Sequence, residues 1–153
     1  MSSAYQVRDP AFEQRVRASF ARQGFMRFLG AELTRVAPGE CEIELPYREE
    51  LSQQHGYFHG GVIATLADNA GGYAGFSLMA AGDSVLTVEF KVNILAPGHG
   101  ERLVGRAHVK RAGRTLTVAQ TDILAVTDGR ETLCATALQT LMRLADRSDG
   151  PVG

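Results

Sequence analysis

The chain has 153 residues, the size of one ordinary domain. Its composition, 44% hydrophobic and 22% charged, excludes a disordered chain and leaves enough apolar surface for a core. The formal charge is −1, with acids and bases interspersed, which excludes the basic surplus that a nucleic-acid partner would require.

Met1 to Pro10 is polar, with no apolar stretch of the kind that leads a secretory signal. Asp9-Pro10 is a helix start, and Phe12, Val16 and Phe20 follow on one face up to a stop at Gly24. Phe25 to Leu29 adds a short apolar turn. Leu33 to Val36 begins a strand, and Ala37-Pro38-Gly39-Glu40 turns into a second strand. There Cys41, Ile43, Leu45 and Tyr47 alternate with Glu42, Glu44 and Pro46.

His59 to Ala81 reads as a long central helix. Its apolar run, Val62 to Ala81, is interrupted by Asp68, Asn69 and the glycines Gly71, Gly72 and Gly75. That makes it a buried helix rather than a membrane span. Leu86, Val88, Phe90, Val92 and Ile94 then alternate as the longest clean strand, ended by Pro97-Gly98. Leu103 to Val109, Thr115 to Thr127 and Leu133 to Met142 are further strands, joined at Ala112-Gly113 and Asp128-Gly129. Short turns make neighbours antiparallel, so the expected class is α+β: a mostly antiparallel sheet with one long helix. The helix is apolar on nearly every side, so the sheet must curve around it or a second copy must cover it. Residues 1–30 form an N-terminal helical segment, and the polar tail 146–153 is expected to fray.

Three features could carry chemistry. Gly60 and Gly61 open the helix, where backbone N–H groups lack internal partners and can hold a carbonyl oxygen or an oxyanion. The same pair could equally be a plain tight turn. Asp68 lies inside an apolar helix and must find a partner, titrate upward or do chemistry. His59 and Asp68 are nine residues apart, so they face opposite ways, about 13 Å apart along the axis. If both act on one substrate atom, two chains are needed. Lys110, Arg111 and Arg114 flank a glycine turn, either as a phosphate grip or as a solvated hairpin tip. Gly71, Gly72 and Gly75 read as close-packing positions. Cys41 and Cys134 read as reduced core thiols, in keeping with a cytoplasmic protein. The histidines lack metal-ligand spacing, so no metal is expected.

Gln53-Gln54-His55-Gly56-Tyr57-Phe58-His59-Gly60-Gly61 with Asp68 seven residues later resembles the signature of hotdog-fold acyl-CoA thioesterases of the phenylacetate-pathway (PaaI-like) type. Asn93-Ile94-Leu95-Ala96-Pro97-Gly98 and Lys110-Arg111-Ala112-Gly113-Arg114-Thr115 are also similar to that family. The resemblance covers nearly the whole chain after about Phe28. It implies one hotdog domain, 1–153, with a curved antiparallel sheet wrapped around the helix. It implies a homodimer joined sheet edge to edge, usually paired again into a homotetramer. It implies hydrolysis of an acyl-CoA, with medium or long-chain or aromatic acyl groups, to free acid and CoA. No cofactor is implied, because coenzyme A belongs to the substrate.

By the resemblance, Asp68 is the general base or nucleophile, the Gly60 amide holds the thioester oxygen and His59 shapes that turn. Thr87 is the hydroxyl residue beside the acid of its own chain. Gln53 stands where most members have Asn and would position water or thioester. Gly61, Ala96, Pro97, Gly98, Arg111, Gly113, Arg114 and Thr115 would hold the coenzyme A portion. One chain would supply Gln53, His59 and Gly60, and the other Asp68 and Thr87. A non-catalytic acyl-CoA-binding module of the same fold is the rival reading, with a hotdog hydratase or dehydratase as the enzymatic one. Phe76, Leu78 and Met79 could line an acyl tunnel or be core.

Overall fold

The computed structural model describes residues 5–152. In chain order they form α1 (Phe12–Arg22), α2 (Gly24–Leu29), β1 (Glu32–Ala37), β2 (Glu40–Pro46), a 3₁₀ turn (Glu49–Leu51), α3 (Gly60–Phe76), β3 (Ser84–Ile94), β4 (Arg102–Ala112), β5 (Leu116–Thr127) and β6 (Arg130–Leu144). All six strands join in one antiparallel sheet, ordered β1-β2-β4-β5-β6-β3. Helix α3 packs against β2, β3, β4, β5 and β6, so the sheet wraps it as the hotdog arrangement requires. Ile43, Leu45, Ile63, Leu66, Leu103, Ile123 and Leu141 fill the space between them and are almost wholly buried. Each such side chain contributes about 1.5–3 kcal/mol.

Several local expectations need correction. Helix α1 begins at Phe12, not at Pro10. The Asp9 carboxylate still accepts the Ala11 N–H at 2.9 Å, and it pairs with Arg15. Gly24 opens α2 instead of stopping α1, and Gly30, at φ 80°, is the left-handed stop. Helix α3 ends at Phe76 rather than Ala81. The chain tightens there through Leu78 N–H to Gly75 O and Met79 N–H to Phe76 O. The Arg15 guanidinium lies over the Phe76 ring and donates to the carbonyls of Met79 and Ala80 at 2.7 and 2.9 Å. A cation at a helix C-terminus is favoured by the helix dipole.

The strands after α3 are not a simple meander. Strand β3 pairs with the last strand, β6, and becomes a sheet edge, while β4 pairs with β2 and β5. Pro97-Gly98 therefore belongs to a crossover, not a hairpin. Phe58 N–H donates to Gly98 O at 2.8 Å, which ties that crossover to the segment before α3. Asp128-Gly129 does form the tight hairpin, with φ of 50° and 74°.

The alternation in β3 also breaks. Thr87 pairs with Leu141 and Glu89 with Thr140, so Val88 is an extra residue, a β-bulge. Directly opposed residues share a sheet face. Before the bulge Thr87 shares the inner face with Leu141. After it Phe90, Val92 and Ile94 share that face with Gln139, Ala137 and Ala135. One slip of phase thus turns Thr87 toward α3 on the same side as Phe90 and Ile94.

Candidate active site

Asp68 sits at the middle of α3, half-buried among Leu66, Ala67 and Ala70. The Thr87 hydroxyl donates to its Oδ1 at 2.7 Å. The Gln139 amide donates to the same oxygen at 3.2 Å and to the Asp68 backbone carbonyl at 3.1 Å. Among the described residues Oδ2 accepts nothing, and no cation pairs with the carboxylate. Asp68 and Thr87 line a cavity of about 290 Å³ with Asn69, Gly72, Val85 and Leu86, closed on the α1 side by Ser19 and Gln23.

Gln139 is itself 1% exposed. Its Oε1 is buried without a partner among the described residues. A carbonyl left so costs about 1–3 kcal/mol. The amide fits there because Gly71 has no side chain: a Cβ at that position would lie 1.9 Å from Oε1. Gly75 similarly admits Leu141, so both glycines serve helix-to-sheet contact. Gly72 has nothing within 4 Å of its would-be Cβ and faces the cavity instead.

The second region lies at the start of α3. His59 is the N-cap, and its Nδ1 accepts the Gly61 N–H at 2.9 Å. That nitrogen is therefore unprotonated, and the proton of the neutral ring is on Nε2. The cap consumes the Gly61 N–H, and the Gly60 N–H donates to nothing among the described residues. Gln53 Oε1 accepts the His55 N–H, and its NH₂ group donates to nothing among the described residues. Gln53, Phe58, Gly60, Ile63, Ile94 and the crossover Leu95 to Gly98 line a separate cavity of about 450 Å³.

The basic hairpin lies elsewhere. Gly113 borders a third cavity with Gly75, Leu78 and Met79, at the C-terminal end of α3. Arg111, Arg114 and Thr115 are exposed, and Lys110, Arg111 and Arg114 form no ion pair among the described residues. Cys41 and Cys134 are free and buried. Burial pushes the Cys41 thiol up to about 12 and raises Cys134 as well. No group of three His, Cys, Asp or Glu side chains converges among the described residues. No helix there is long and apolar enough to cross a membrane.

The sequence profile of the thioesterase superfamily matches residues 55–132, which span both the Gly60 turn and Asp68. The chain belongs to that superfamily. A thioesterase family protein from Silicibacter pomeroyi superposes with a TM-score of 0.86 at 51% identity, covering 88% of this chain and 98% of that one. Acyl-coenzyme A thioesterase 13 of Homo sapiens is 32% identical over 110 residues, 71% of this chain and 78% of that protein. The E. coli PaaI protein from the phenylacetic acid degradation operon shares the fold, with a TM-score of 0.79 at 21% identity over 90% of this chain and 96% of that one.

In this thioesterase the anticipated residues divide into three groups. Asp68 and Thr87 touch each other. Gln53, Gly60, Ala96, Pro97 and Gly98 share one cavity, with His59 and Gly61 bonded at its rim. Arg111, Gly113, Arg114 and Thr115 stand at the opposite end of α3, so one chain does not bring them to Gly60. Phe76, Leu78 and Met79 are core residues and do not line the Asp68 cavity. Gln139 was missed by the sequence reading, although a signal existed. It holds an inward position in β6, between Ala137 and Leu141, where the strand alternation calls for an apolar side chain.

Proposed function

We propose that this thioesterase hydrolyses an acyl-CoA, with a medium or long-chain or aromatic acyl group, to the free acid and CoA. The observation that carries the reading is the Asp68 carboxylate. It is held on one oxygen by two donors, and its other oxygen is unengaged beside a cavity. Open to that cavity, Oδ2 can reach a substrate or a water, as a general base must.

The reaction needs both cavities. The Gly60 N–H, carrying the positive end of the helix dipole, would polarise the thioester carbonyl, and the NH₂ of Gln53 would position the carbonyl or the water. Asp68 Oδ2 would take a proton from water as the water oxygen bonds to the carbonyl carbon. The C–S bond then breaks, and the CoA thiolate leaves with the proton that Asp68 had taken, which restores the carboxylate. No cofactor beyond the coenzyme A of the substrate is invoked. Two free, buried thiols fit a reducing, cytoplasmic setting.

A homodimer can join the two half-sites. Strand β3 is an eleven-residue edge exposing Leu86, Val88, Phe90 and Ile94. Such an edge invites another strand. Thr87, beside Asp68, lies near one end, and Ile94 lies near the other. A Cβ on Gly60 would meet the Ile94 Cδ1 at 3.3 Å, so Ile94 marks the Gly60 end. Within one chain these points are roughly 23 Å apart along the strand. Antiparallel pairing of two β3 edges about Phe90-Lys91 would set Thr87 of one chain opposite Ile94 of the other. Each Asp68 would then meet the partner chain's Gly60, giving two equal sites. Two such dimers back to back would make the homotetramer.

The test is Asp68→Asn, with thiol release measured over a panel of aliphatic and aromatic acyl-CoAs. Turnover should fall at least about 1,000-fold, roughly 4 kcal/mol of barrier, with fold and assembly intact. Near-normal hydrolysis would sink the assignment.

A further inference from the structure

We propose that Gln139 is a positioning residue for Asp68, fixing the carboxylate so that Oδ2 alone faces the substrate; this rests on the catalytic reading of Asp68 above. Asp68 can rotate about two side-chain torsions, and the nearby α3 donors Thr65 and Asn69 are bonded elsewhere, to the Gly61 carbonyl and to Gln23. The orientation of the carboxylate is set wholly from the sheet. Thr87 reaches it from the bulged edge strand, and Gln139 reaches it from β6. A hydroxyl alone leaves the carboxylate free to pivot about one contact. The Gln139 amide removes that freedom, because one NH₂ group spans both Oδ1 and the Asp68 carbonyl on the same helix turn. The side chain is thereby referenced to its own backbone.

Packing does not account for this glutamine. The residue is 1% exposed, its Oε1 is unpartnered among the described residues, and a leucine or methionine would fill the same space without an orphaned carbonyl. Gly71 lacks the Cβ that would displace Oε1, so helix and strand are matched to the amide. Thr121, also on the inner face, donates to the carbonyl of Ala67, the residue before Asp68, at 3.1 Å. Together these contacts sacrifice apolar burial for a fixed geometry, as sites that stabilise a reacting group commonly do.

The decisive variant is Gln139→Met, which keeps the length and removes the donor. The expected result is a kcat lower by about 10–100-fold, KM within twofold, and Tm unchanged or higher because the orphaned carbonyl is gone. A purely structural role gives the reverse pattern, a lower Tm with kcat per folded molecule intact. A kcat within threefold of the parent at unchanged Tm overturns the proposal. If Gln139→Met lowers Tm, Gln139→Asn replaces it, since that amide stops one methylene short of Oδ1. A comparable fall in kcat then supports the proposal, and an unchanged kcat overturns it. Asp68→Asn separates the two levels. If it abolishes turnover while Gln139→Met does not reduce kcat, only the positioning role fails. If Asp68→Asn is itself active, the reading of Asp68 fails.

Discussion

The two cavities along α3 are built in opposite ways. Around Asp68 the acceptor is supplied and gripped: Thr87 and Gln139 converge on one oxygen, and Gly71 is cut away to admit the amide. Around Gly60 a donor is supplied and left open. His59 consumes the neighbouring N–H and Gln53 turns back on its own loop, so that one amide and one NH₂ donate to nothing among the described residues. The Gly60 amide does not line the Asp68 cavity, and no carboxylate lines the Gly60 cavity among the described residues. The contrast teaches that the proposed acid and the proposed oxyanion donor lie apart in one chain, with the edge strand β3 running from one to the other.

The largest effect expected from disturbing this contrast is at the acid. Asp68→Asn removes the proposed general base and should cost at least about 1,000-fold in kcat, read by thiol release. Gln139→Met disturbs only the grip on that acid and should cost less, as described above.

The basic hairpin sharpens the comparison from a third place. It lies at the end of α3 remote from its own Gly60, but an antiparallel partner would carry it toward the other chain's cavity. Arg111→Ala with Arg114→Ala should raise KM about 3–10-fold with kcat little changed, and the difference should shrink as salt rises. An equal loss with an acyl-thioester lacking the nucleotide would show that the hairpin does not hold phosphates.

The smallest effect lies outside both cavities. Asp83, just past α3, is 3% exposed and holds Arg143 at 2.6 Å. Burial alone would raise its carboxyl, but the Arg143 guanidinium and the N–H groups of Asp146 and Ala80 outweigh it and keep the group below the ordinary 3.8. A depressed folded-state value contributes stability that is full above 3.8 and is lost as pH falls through the folded value. Asp83→Asn should therefore lower stability by about 1.5–3 kcal/mol at neutral pH, leave kcat unchanged, and lose its deficit below pH ~4 in thermal unfolding.

Much of this was legible beforehand because it depends on local pattern. The apolar run broken by Asp68, the alternation of β2 and β4, and the Asp128-Gly129 turn each carry their own physical signature. Two things resisted. The β3–β6 pairing is a contact between strands far apart in sequence, and short turns alone argued for a meander. The bulge at Val88 was invisible because Leu86 to Ile94 alternates without a break, although the backbone slips phase in the middle. That slip hid the convergence of Gln139 on Asp68 beside Thr87, which the resemblance alone had placed there. The glutamine in the inward phase of β6 was readable, but only once that phase was known.

The central claim is that each site takes its acid from one chain and its oxyanion donor from another. Mixed dimers of Asp68→Asn and Gly60→Pro test it most directly. Proline removes the Gly60 N–H at the first helical position, where it is well tolerated, and His59 already has the extended backbone (φ −61°, ψ 138°) that precedes proline. Each variant alone should be nearly inactive. Co-refolded in equal amounts, half the dimers are mixed, and each of these carries one site with both groups intact, so about a quarter of the parent activity should return. Mixed dimers that form in that proportion and stay as inactive as either variant would contradict the account.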